Sequence, residues 1–305
     1  MTFLKIIVEV FSLLGGTIMD LKKYKVFLTA VDLGSFTKAA AQLGYTPSGV
    51  THMMNALEEE LGFQILTRGK NGVLLTENGE RLVPLLRELL NLEEEYSQTV
   101  SEINGLNAGT IRIGSYSSIA VHWLPKIIKS FQAYYPNIKI KLMEGIRQEV
   151  VTWLEERKID LGFMSYQPGM KFDWVPLKDD PMIAVLPINH PLAKEKAYPI
   201  RYCESEDFIM PACGYDYDVI ELFRSEKISL KIRYETFENY AALSMIECGL
   251  GMSVMNELIT KGRICNVAKL PLMPEKYISL GIAVPNTDKL PPAAKKFITF
   301  CEKEF

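Results

Sequence analysis

Residues 34–61 read GSFTKAAAQLGYTPSGVTHMMNALEEEL, and this stretch decides how the first part of the chain folds. Ser35 is a residue type that caps helices, and the apolar residues after it recur at three- and four-residue spacing, which predicts a helix that ends at Gly44. Thr46 and Pro47 are a cap and first-turn pair, so a second helix is predicted from there to residue 61. Two short helices joined by a tight turn are typical of a helix-turn-helix.

The second predicted helix offers polar side chains on the side opposite its apolar stripe. In a helix-turn-helix the second helix enters the DNA major groove, so those side chains would face the base edges. Spacing alone fits a small helical hairpin equally well, and this alternative stays open at this point. The candidate DNA-contacting residues of the two helices and their caps are Ser35, Thr37, Lys38, Thr46, Ser48, Thr51, His52 and Asn55.

Three ordered blocks around this stretch resemble the winged helix-turn-helix of the LysR-type transcriptional regulators. They are residues 19–40 (MDLKKYKVFLTAVDLGSFTKAA), 57–68 (LEEELGFQILTR) and 72–79 (GVLLTENG). The resemblance implies a DNA-binding domain over residues 19–78. The base preference of the family does not carry over, because Pro47 and His52 stand where the family commonly has other residues.

A polar turn at residues 68–72 separates two short runs, residues 64–67 and 73–75, which predicts a strand hairpin. The resemblance identifies this hairpin as the wing and implies that Arg68 contacts DNA phosphates. Lys70 in the same turn is a further candidate. Charge gives no such indication, because residues 19–79 hold six basic and six acidic side chains. Any phosphate affinity must therefore come from the placement of charges.

Length and composition are those of an ordinary globular protein with more than one domain. The chain has 305 residues, of which 48% are hydrophobic and 23% charged, and its net charge is -3. Residues 1–18 hold an apolar run that is interrupted by Glu9 and too short to span a bilayer, so we expect a non-native or disordered extension before a natural start at Met19. Scattered cysteines without a secretory signal favour the cytoplasm and no membrane.

A long helical pattern runs from residue 77 to about residue 106, with apolar residues at alternating four- and three-residue spacing. Such a seam predicts pairing between two chains, and the alternative is a core helix inside one chain. Pro84 indicates a kink or a helix start nearby, and the glycines after the helix indicate a hinge, so residues 79–108 are predicted as a linker and dimerisation segment. The predicted dimerisation residues are Leu82, Leu86, Leu89, Tyr96 and Val100.

The remainder of the chain alternates strands and helices. Residues 109–164 show the strand, helix, strand, helix, strand order of a parallel sheet, with its first helix predicted at about 118–134. A second lobe is predicted to begin near Trp174 with a strand at 182–186. The ligands of such open sheets sit beyond the carboxyl ends of the strands, so we expect a binding site there.

Three short blocks resemble the two-lobed α/β effector domain of the LysR-type regulators, which is itself similar to periplasmic solute-binding proteins. They are residues 158–162 (KIDLG), 190–193 (HPLA) and 247–252 (ECGLGM). The resemblance implies an effector-binding domain over residues 109–305. Its predicted lobes are lobe one at about 109–170 and 281–305, and lobe two at about 171–280.

A cleft between two such lobes is expected to bind a small-molecule effector. Residues 115–118 follow the first strand and begin a helix, where backbone N–H groups suit an organic anion. The effector-binding candidates, taken from the strand ends and loops that would face the cleft, are Ser115, Ser117, Ser118, Ser165, Tyr215, Phe237, Asn239 and Ser253.

The partners implied by the resemblance are double-stranded DNA with a near-palindromic operator and further copies of the chain, in a homodimer and a homotetramer. Two alternatives stay open. One is a redox-sensing regulator that uses Cys203 and Cys213, and the other is a solute-binding module without DNA binding. The sequence has no catalytic motif, no metal-ligand spacing and no cofactor fingerprint, so we expect no enzymatic activity, no metal and no cofactor.

Overall fold

The computed structural model describes residues 20–69, 72–105, 107–214, 216–262 and 264–305. The chain forms two compact units, Met1–Glu94 and Glu95–Phe305. The predicted extension at residues 1–18 lies outside the described residues, and so do Lys70 and Tyr215 among the predicted site residues. Within the described ranges, no helix is long and apolar enough to cross a membrane.

The first unit begins with the helices α1 (Leu21–Leu33), α2 (Phe36–Leu43) and α3 (Pro47–Leu61). The hydroxyl groups of Ser35 and Thr46 cap α2 and α3 by accepting hydrogen bonds from backbone N–H groups in their first turns. Gly44 closes α2 in a left-handed conformation with φ 73°, which allows the tight turn. The predicted helix-turn-helix is confirmed, with both helices in the predicted places.

The core of this unit follows the apolar stripe of α3. Val50, Met54 and Leu57 are buried in one cluster with Phe27 of α1 and Ala40 of α2. Ala40 is fully buried, so the small side chain lets the helices approach closely at this position. The stripe therefore holds the two helices in a fixed relation and leaves the opposite face of α3 to solvent.

The wing is a hairpin of β1 (Leu66–Gly69) and β2 (Gly72–Leu75). The predicted first strand, residues 64–67, is wrong by two residues. The N–H of Ile65 donates to the Glu58 carboxylate at 2.8 Å, whereas its carbonyl accepts from the N–H of Thr76, the residue opposite it in the hairpin, at 3.1 Å. Because the Ile65 N–H is directed to Glu58, regular pairing begins only at Leu66.

The long helix α4 (Glu77–Ile103) includes Pro84 within its span and ends three residues before the predicted end. Leu86 is buried in the core of the first unit, and Leu82 and Leu89 pack against the same cluster. All three were predicted to pair two chains. The burial of Leu86 in its own unit corrects this for Leu86, whereas Leu82 and Leu89 are only partly buried, so their pairing stays a prediction. Tyr96 and Val100, from the same prediction, are exposed.

The described residues of the second unit form two sheets and six α-helices. Its strands are β3 (Gly109–Ser115), β4 (Ile138–Glu144), β5 (Leu161–Ser165), β6 (Asp173–Pro187), β7 (Tyr198–Pro199), β8 (Asp207–Met210), β9 (Lys231–Glu235), β10 (Ser253–Asn256), β11 (Val267–Met273) and β12 (Tyr277–Val284). Its α-helices are α5 (Ser117–His122), α6 (Leu124–Tyr134), α7 (Arg147–Glu155), α8 (Tyr217–Glu226), α9 (Asn239–Glu247) and α10 (Pro292–Glu304).

The larger sheet runs in the order β4-β3-β5-β12-β6-β11-β7, and β10 also pairs with β6. The strands β3, β4 and β5 are parallel, as predicted, whereas β12 joins β5 in the antiparallel direction. A separate pair of parallel strands, β8 and β9, belongs to lobe two. The outcome is a two-lobed α/β unit with a mixed sheet.

The connection between the lobes differs from the prediction of a new strand at 182–186. A single strand of 15 residues, β6, starts in lobe one and continues into lobe two. Two aspartates and a proline, Asp179-Asp180-Pro181, interrupt the hydrophobic pattern, but β12 pairs with all three of these residues. Asp180 is 4% exposed and accepts hydrogen bonds from the Asn256 side chain at 2.7 Å and the Leu258 N–H at 2.9 Å. The strand thus contains a buried carboxylate that accepts two hydrogen bonds.

The single helix predicted at about 118–134 is also corrected, because the structure has two helices, α5 and α6, with Trp123 between them. Pro125 stands in the first turn of α6, and a proline has no N–H to donate to the preceding turn. The strand β11 was not predicted. Its residues alternate between buried and exposed, but Pro271 within it weakens the sequence signal for a strand.

Candidate functional site

The first candidate site is the exposed face of α3. Ser48, His52 and Asn55 are exposed, and Thr51 is half-buried, on the side away from the buried stripe. Three of these four predicted residues therefore offer polar groups to solvent over two helical turns. On α2, Thr37 and Lys38 are exposed as well.

The first turn of α3 is capped by Thr46 and contains a glycine, Gly49, inside the helix. The Thr46 hydroxyl accepts from the Gly49 N–H at 3.1 Å and lies 3.2 Å from the Ser48 hydroxyl. A Cβ atom on Gly49 would lie 3.0 Å from the Thr46 Oγ1, so the glycine leaves room for the cap. Thr46 and Ser35 thus position the two helices, a role beyond the predicted DNA contact.

The wing is anchored to the helix-turn-helix by backbone hydrogen bonds. The N–H of Val73, the partner of Arg68 in the hairpin, donates to the Gly34 carbonyl at 3.0 Å, at the turn between α1 and α2. The Glu58 carboxylate accepts from the N–H groups of Ile65 and Leu66 at 2.8 and 3.0 Å. These bonds fix where the wing stands relative to α3. The side chain of Arg68 lies outside the described residues.

The second candidate site is a cavity of about 420 Å³ in the second unit, between its lobes. Residues at the beginnings of α5, α7, α8 and α9 line it. Of the predicted effector residues, Ser117, Ser118, Phe237 and Asn239 line the cavity. The fully buried Ser115, Ser165 and Ser253 are not among the lining residues, which corrects their predicted placement at the surface of the cleft.

A hydrogen-bonded chain links the two lobes at one end of the cavity. The Ser165 hydroxyl, at the end of β5, donates to the Asp218 carboxylate in α8 at 2.9 Å and lies 3.2 Å from the Tyr116 hydroxyl. Burial, with Asp216 nearby, raises the pKa of Asp218 to about 7. Burial, with the Asp218 carboxylate nearby, also raises the pKa of the Tyr116 phenol. Ser165 therefore acts behind the cavity surface, as the link between the lobes.

Two further charged residues stand beside this chain. Asp216 caps α8 by accepting a hydrogen bond from the Val219 N–H at 3.2 Å, and burial raises its pKa. Arg147 begins α7, donates to the Ser165 carbonyl at 3.2 Å, and places its guanidinium 5.2 Å from the centre of the Tyr217 ring. The cavity thus presents one guanidinium and two partly buried aspartates.

Sequence reasoning missed Arg147, Tyr217 and Asp218. Arg147 follows the carboxyl end of β4, as residues 115–118 follow that of β3, so its position after a strand was the sequence signal for it. Tyr217 and Asp218 are the first two residues of α8 and follow the predicted Tyr215 by two and three positions.

The thiols give little support to the redox alternative. Cys203 is fully buried, and burial raises the pKa of its thiol to about 12, which keeps it in the unreactive protonated form. The side chain of Cys213 lies outside the described residues. In the part of the chain that the structure describes, no group of three or more His, Cys, Asp or Glu residues could hold a metal ion.

Comparison with known proteins agrees with the two units. Residues 21–80 match the family model of the bacterial regulatory helix-turn-helix protein, lysR family, and residues 104–305 match that of the LysR substrate binding domain. The uncharacterised transcriptional regulator YvbU of Bacillus subtilis is 33% identical over 94% of this chain and 99% of its own length.

Two solved structures show the same fold along the chain. Full-length BenM is 26% identical, with a TM-score of 0.58, over 94% of this chain and 96% of its own. Full-length CbnR in complex with its target DNA is 19% identical, with a TM-score of 0.67, over 94% of this chain and 100% of its own. Since the substrate binding domain model covers more than half of the chain and YvbU aligns along nearly all of it, this chain belongs to the LysR family of transcriptional regulators.

Proposed function

We propose that this chain is a cytoplasmic, ligand-responsive transcription factor, and not an enzyme, that binds operator DNA through α3 and the wing and a small molecule in the cleft. The observation that carries the proposal is the presence in one chain of a helix-turn-helix with an exposed polar face and a cavity of about 420 Å³ lined by four helix beginnings. A volume of this size suits a small metabolite.

The exposed apolar residues of α4 support self-association. Leu85, Leu92, Tyr96 and Ile103 are 56% to 79% exposed and recur at seven- and four-residue spacing. A continuous apolar seam of this kind is stable when a second helix covers it. We propose a homodimer along this seam, which pairs further into a homotetramer and presents two α3 helices to a near-palindromic operator.

The effector then acts by preferring one arrangement of the assembly. A ligand shifts such an equilibrium only by its different affinities for the two states. The Ser165 link joins residues from both lobes at the cavity, so a ligand there contacts the groups that hold the lobes together. We propose that this contact changes the spacing or angle of the paired DNA-binding units.

The seam on α4 gives a first prediction. Tyr96→Asp and Leu92→Asp should each weaken self-association by about tenfold or more, because the interface would bury an unpaired carboxylate from each chain. Sedimentation velocity over a concentration series measures the dissociation constant. Ser97→Asp, at an exposed neighbouring position outside the seam, is the control and should change it little. Unchanged association in both seam variants would remove the seam from the interface.

The DNA-binding face gives a second prediction, measured by gel retardation of the intergenic DNA beside the gene and of random DNA at moderate salt. Arg68→Ala should weaken binding to every sequence by about three- to tenfold, since phosphates carry no sequence information. Thr51→Ala and Asn55→Ala should instead cost about 1–3 kcal/mol on the preferred sequence and less on random DNA.

The control for these variants is Glu59→Ala, an exposed residue near the far end of α3. It should leave affinity and sequence preference nearly unchanged. Equal losses on all sequences for Arg68→Ala, Thr51→Ala and Asn55→Ala would refute the division between phosphate and base contacts. Intact protein that binds the intergenic DNA no better than random DNA would refute the proposed function itself.

A further inference from the structure

The cavity between the lobes has a strong excess of negative charge. Its described lining residues include five carboxylates and a single basic side chain, Arg147. The carboxylates are Glu144, Glu149, Asp216, Asp218 and Glu238. The Glu149 carboxylate accepts a hydrogen bond from the Ile146 N–H at 2.9 Å, at the start of α7. The excess of negative charge in the cavity remains when Glu149 is left out because of this bond.

No ion pair of the described residues involves Asp216 or Asp218. The cation near them is Arg147, whose charge offsets part of the rise that burial causes in the pKa of Asp218. Asp218 accepts from the Ser165 hydroxyl with one oxygen, and Asp216 accepts from the backbone N–H groups of Val219 and Asp218. The second oxygen of Asp218 is not used by its bond to Ser165, so the cavity holds further acceptor capacity there.

A third acceptor lies on the same cavity lining. The Oδ1 atom of Asn239, at the beginning of α9, is buried and has no hydrogen-bond partner within the described part of the chain. A buried amide oxygen without a donor costs free energy, which a ligand with an N–H group would recover. This observation is independent of the acidic residues and requires a donor from the ligand in the same way.

We infer that the cleft takes a ligand with a protonated amino group, as in an amino acid or a related amine, and that this group sits against the carboxylates of Asp218 and Asp216. The inference rests on the proposed function, because it names the ligand class of the proposed effector site. An ammonium group supplies three N–H donors and one positive charge, which matches a lining of five carboxylates and one basic side chain.

The surrounding side chains fit the same ligand. Tyr217, Phe237 and Tyr240 line the cavity beside the acidic residues, and aromatic rings attract a cation to their faces. A cation next to Asp218 also removes the cost of keeping that carboxylate ionised at a site where burial raises its pKa to about 7. Arg147 donates to the Ser165 carbonyl, and its guanidinium has further N–H groups that suit an acidic group on the same ligand, as in the carboxylate of an amino acid.

The experiment is a thermal-shift and calorimetric titration of the full chain with matched probes. The probes are the common amino acids and simple α,ω-diamines, each paired with the analogue that lacks the amino group. At least one amine should raise Tm by several degrees, and its partner without the amino group should bind about tenfold or more weakly, the usual loss for one charged hydrogen bond.

The variant Asp218→Asn should reduce the affinity for the active amine by about tenfold or more, because it removes the charge and keeps the shape. The introduced amide oxygen can still accept from Ser165, and a cooperative melt of the variant confirms that it folds. Asp288→Asn, an exposed aspartate outside the cavity, is the matched control and should bind the amine like the original chain.

Three results would overturn the inference: a response to carboxylic acids without amino groups only, no response to any amine, or an unchanged amine affinity in Asp218→Asn. None of these bears on DNA binding, which gel retardation of the intergenic DNA tests without any of the probes. A failure of the ligand class is therefore distinguishable from a failure of the proposed regulator.

Discussion

Gly72→Ala should destabilise the first unit by about 2–4 kcal/mol and abolish operator binding, because the wing can no longer dock on the helix-turn-helix. Gly72 has φ 97°, a backbone conformation that strains any residue with a side chain. A Cβ atom there would also lie far inside van der Waals contact with the Gly34 carbonyl oxygen. That oxygen cannot retreat without losing its hydrogen bond from the Val73 N–H.

The matched control lies directly across the same hairpin. Gly69 pairs with Gly72, but a Cβ atom on Gly69 would meet nothing within 4 Å, and its φ is not in the left-handed region. Gly69→Ala should therefore keep the stability and the DNA binding of the original chain. Chemical denaturation of both variants and gel retardation on the operator measure the two effects. Equal behaviour of the two alanine variants would show that the wing is not seated through Gly72.

Local chemistry explains why the helix-turn-helix could be predicted closely from the sequence. The hydroxyl groups of Ser35 and Thr46 cap the helices that follow them by accepting from first-turn N–H groups. Gly44 ends a helix because glycine adopts the left-handed backbone conformation without strain. The predicted start of the wing failed because the N–H of Ile65 donates to the carboxylate of Glu58, seven residues earlier in the chain. Contacts of this kind do not appear in a hydrophobic pattern.

The seam on α4 shows a second limit. Leu82, Leu86 and Leu89 have the spacing of a pairing surface, and spacing alone does not tell which partner covers it. In the structure Leu86 is buried in the core of its own unit, and Leu82 and Leu89 are partly covered by the same core. The residues that stay exposed, such as Leu92 and Tyr96, are the ones that a second chain can cover.

The candidate cleft was predicted in position but only partly in its residues. The rule that ligands bind at the carboxyl ends of strands located Ser117 and Ser118 correctly on the cavity lining. The polar groups that give the cavity its charge, Asp218 and Arg147, come from helices that meet only after the two lobes have formed. Their meeting depends on β6, whose passage through both lobes was hidden by its polar residues.

Asp160→Ala should destabilise the second unit by about 3 kcal/mol, the usual cost of breaking a buried ion pair, and lower its Tm by about 10 °C. Asp160 is 7% exposed and lies just before β5. Its carboxylate accepts from the backbone N–H of Arg112 at 2.7 Å and from the guanidinium of Arg112 at 2.8 and 3.2 Å. Removing the carboxylate leaves a backbone donor and a partly buried cation of β3 without this partner.

Asp173→Ala is the control that separates burial from hydrogen bonding. The Asp173 carboxylate also accepts two bonds, from the N–H and the hydroxyl of Thr287 at 2.8 and 2.9 Å, but it is exposed. Water replaces lost partners at such a site, so the Tm of this variant should barely change. Differential scanning calorimetry of both variants decides the matter. If Tm decreases by the same amount in both variants, the pairing of Asp160 with Arg112 contributes no more to stability than a surface contact. The buried apolar residues around the junction of β3 and β5 must then hold these strands together.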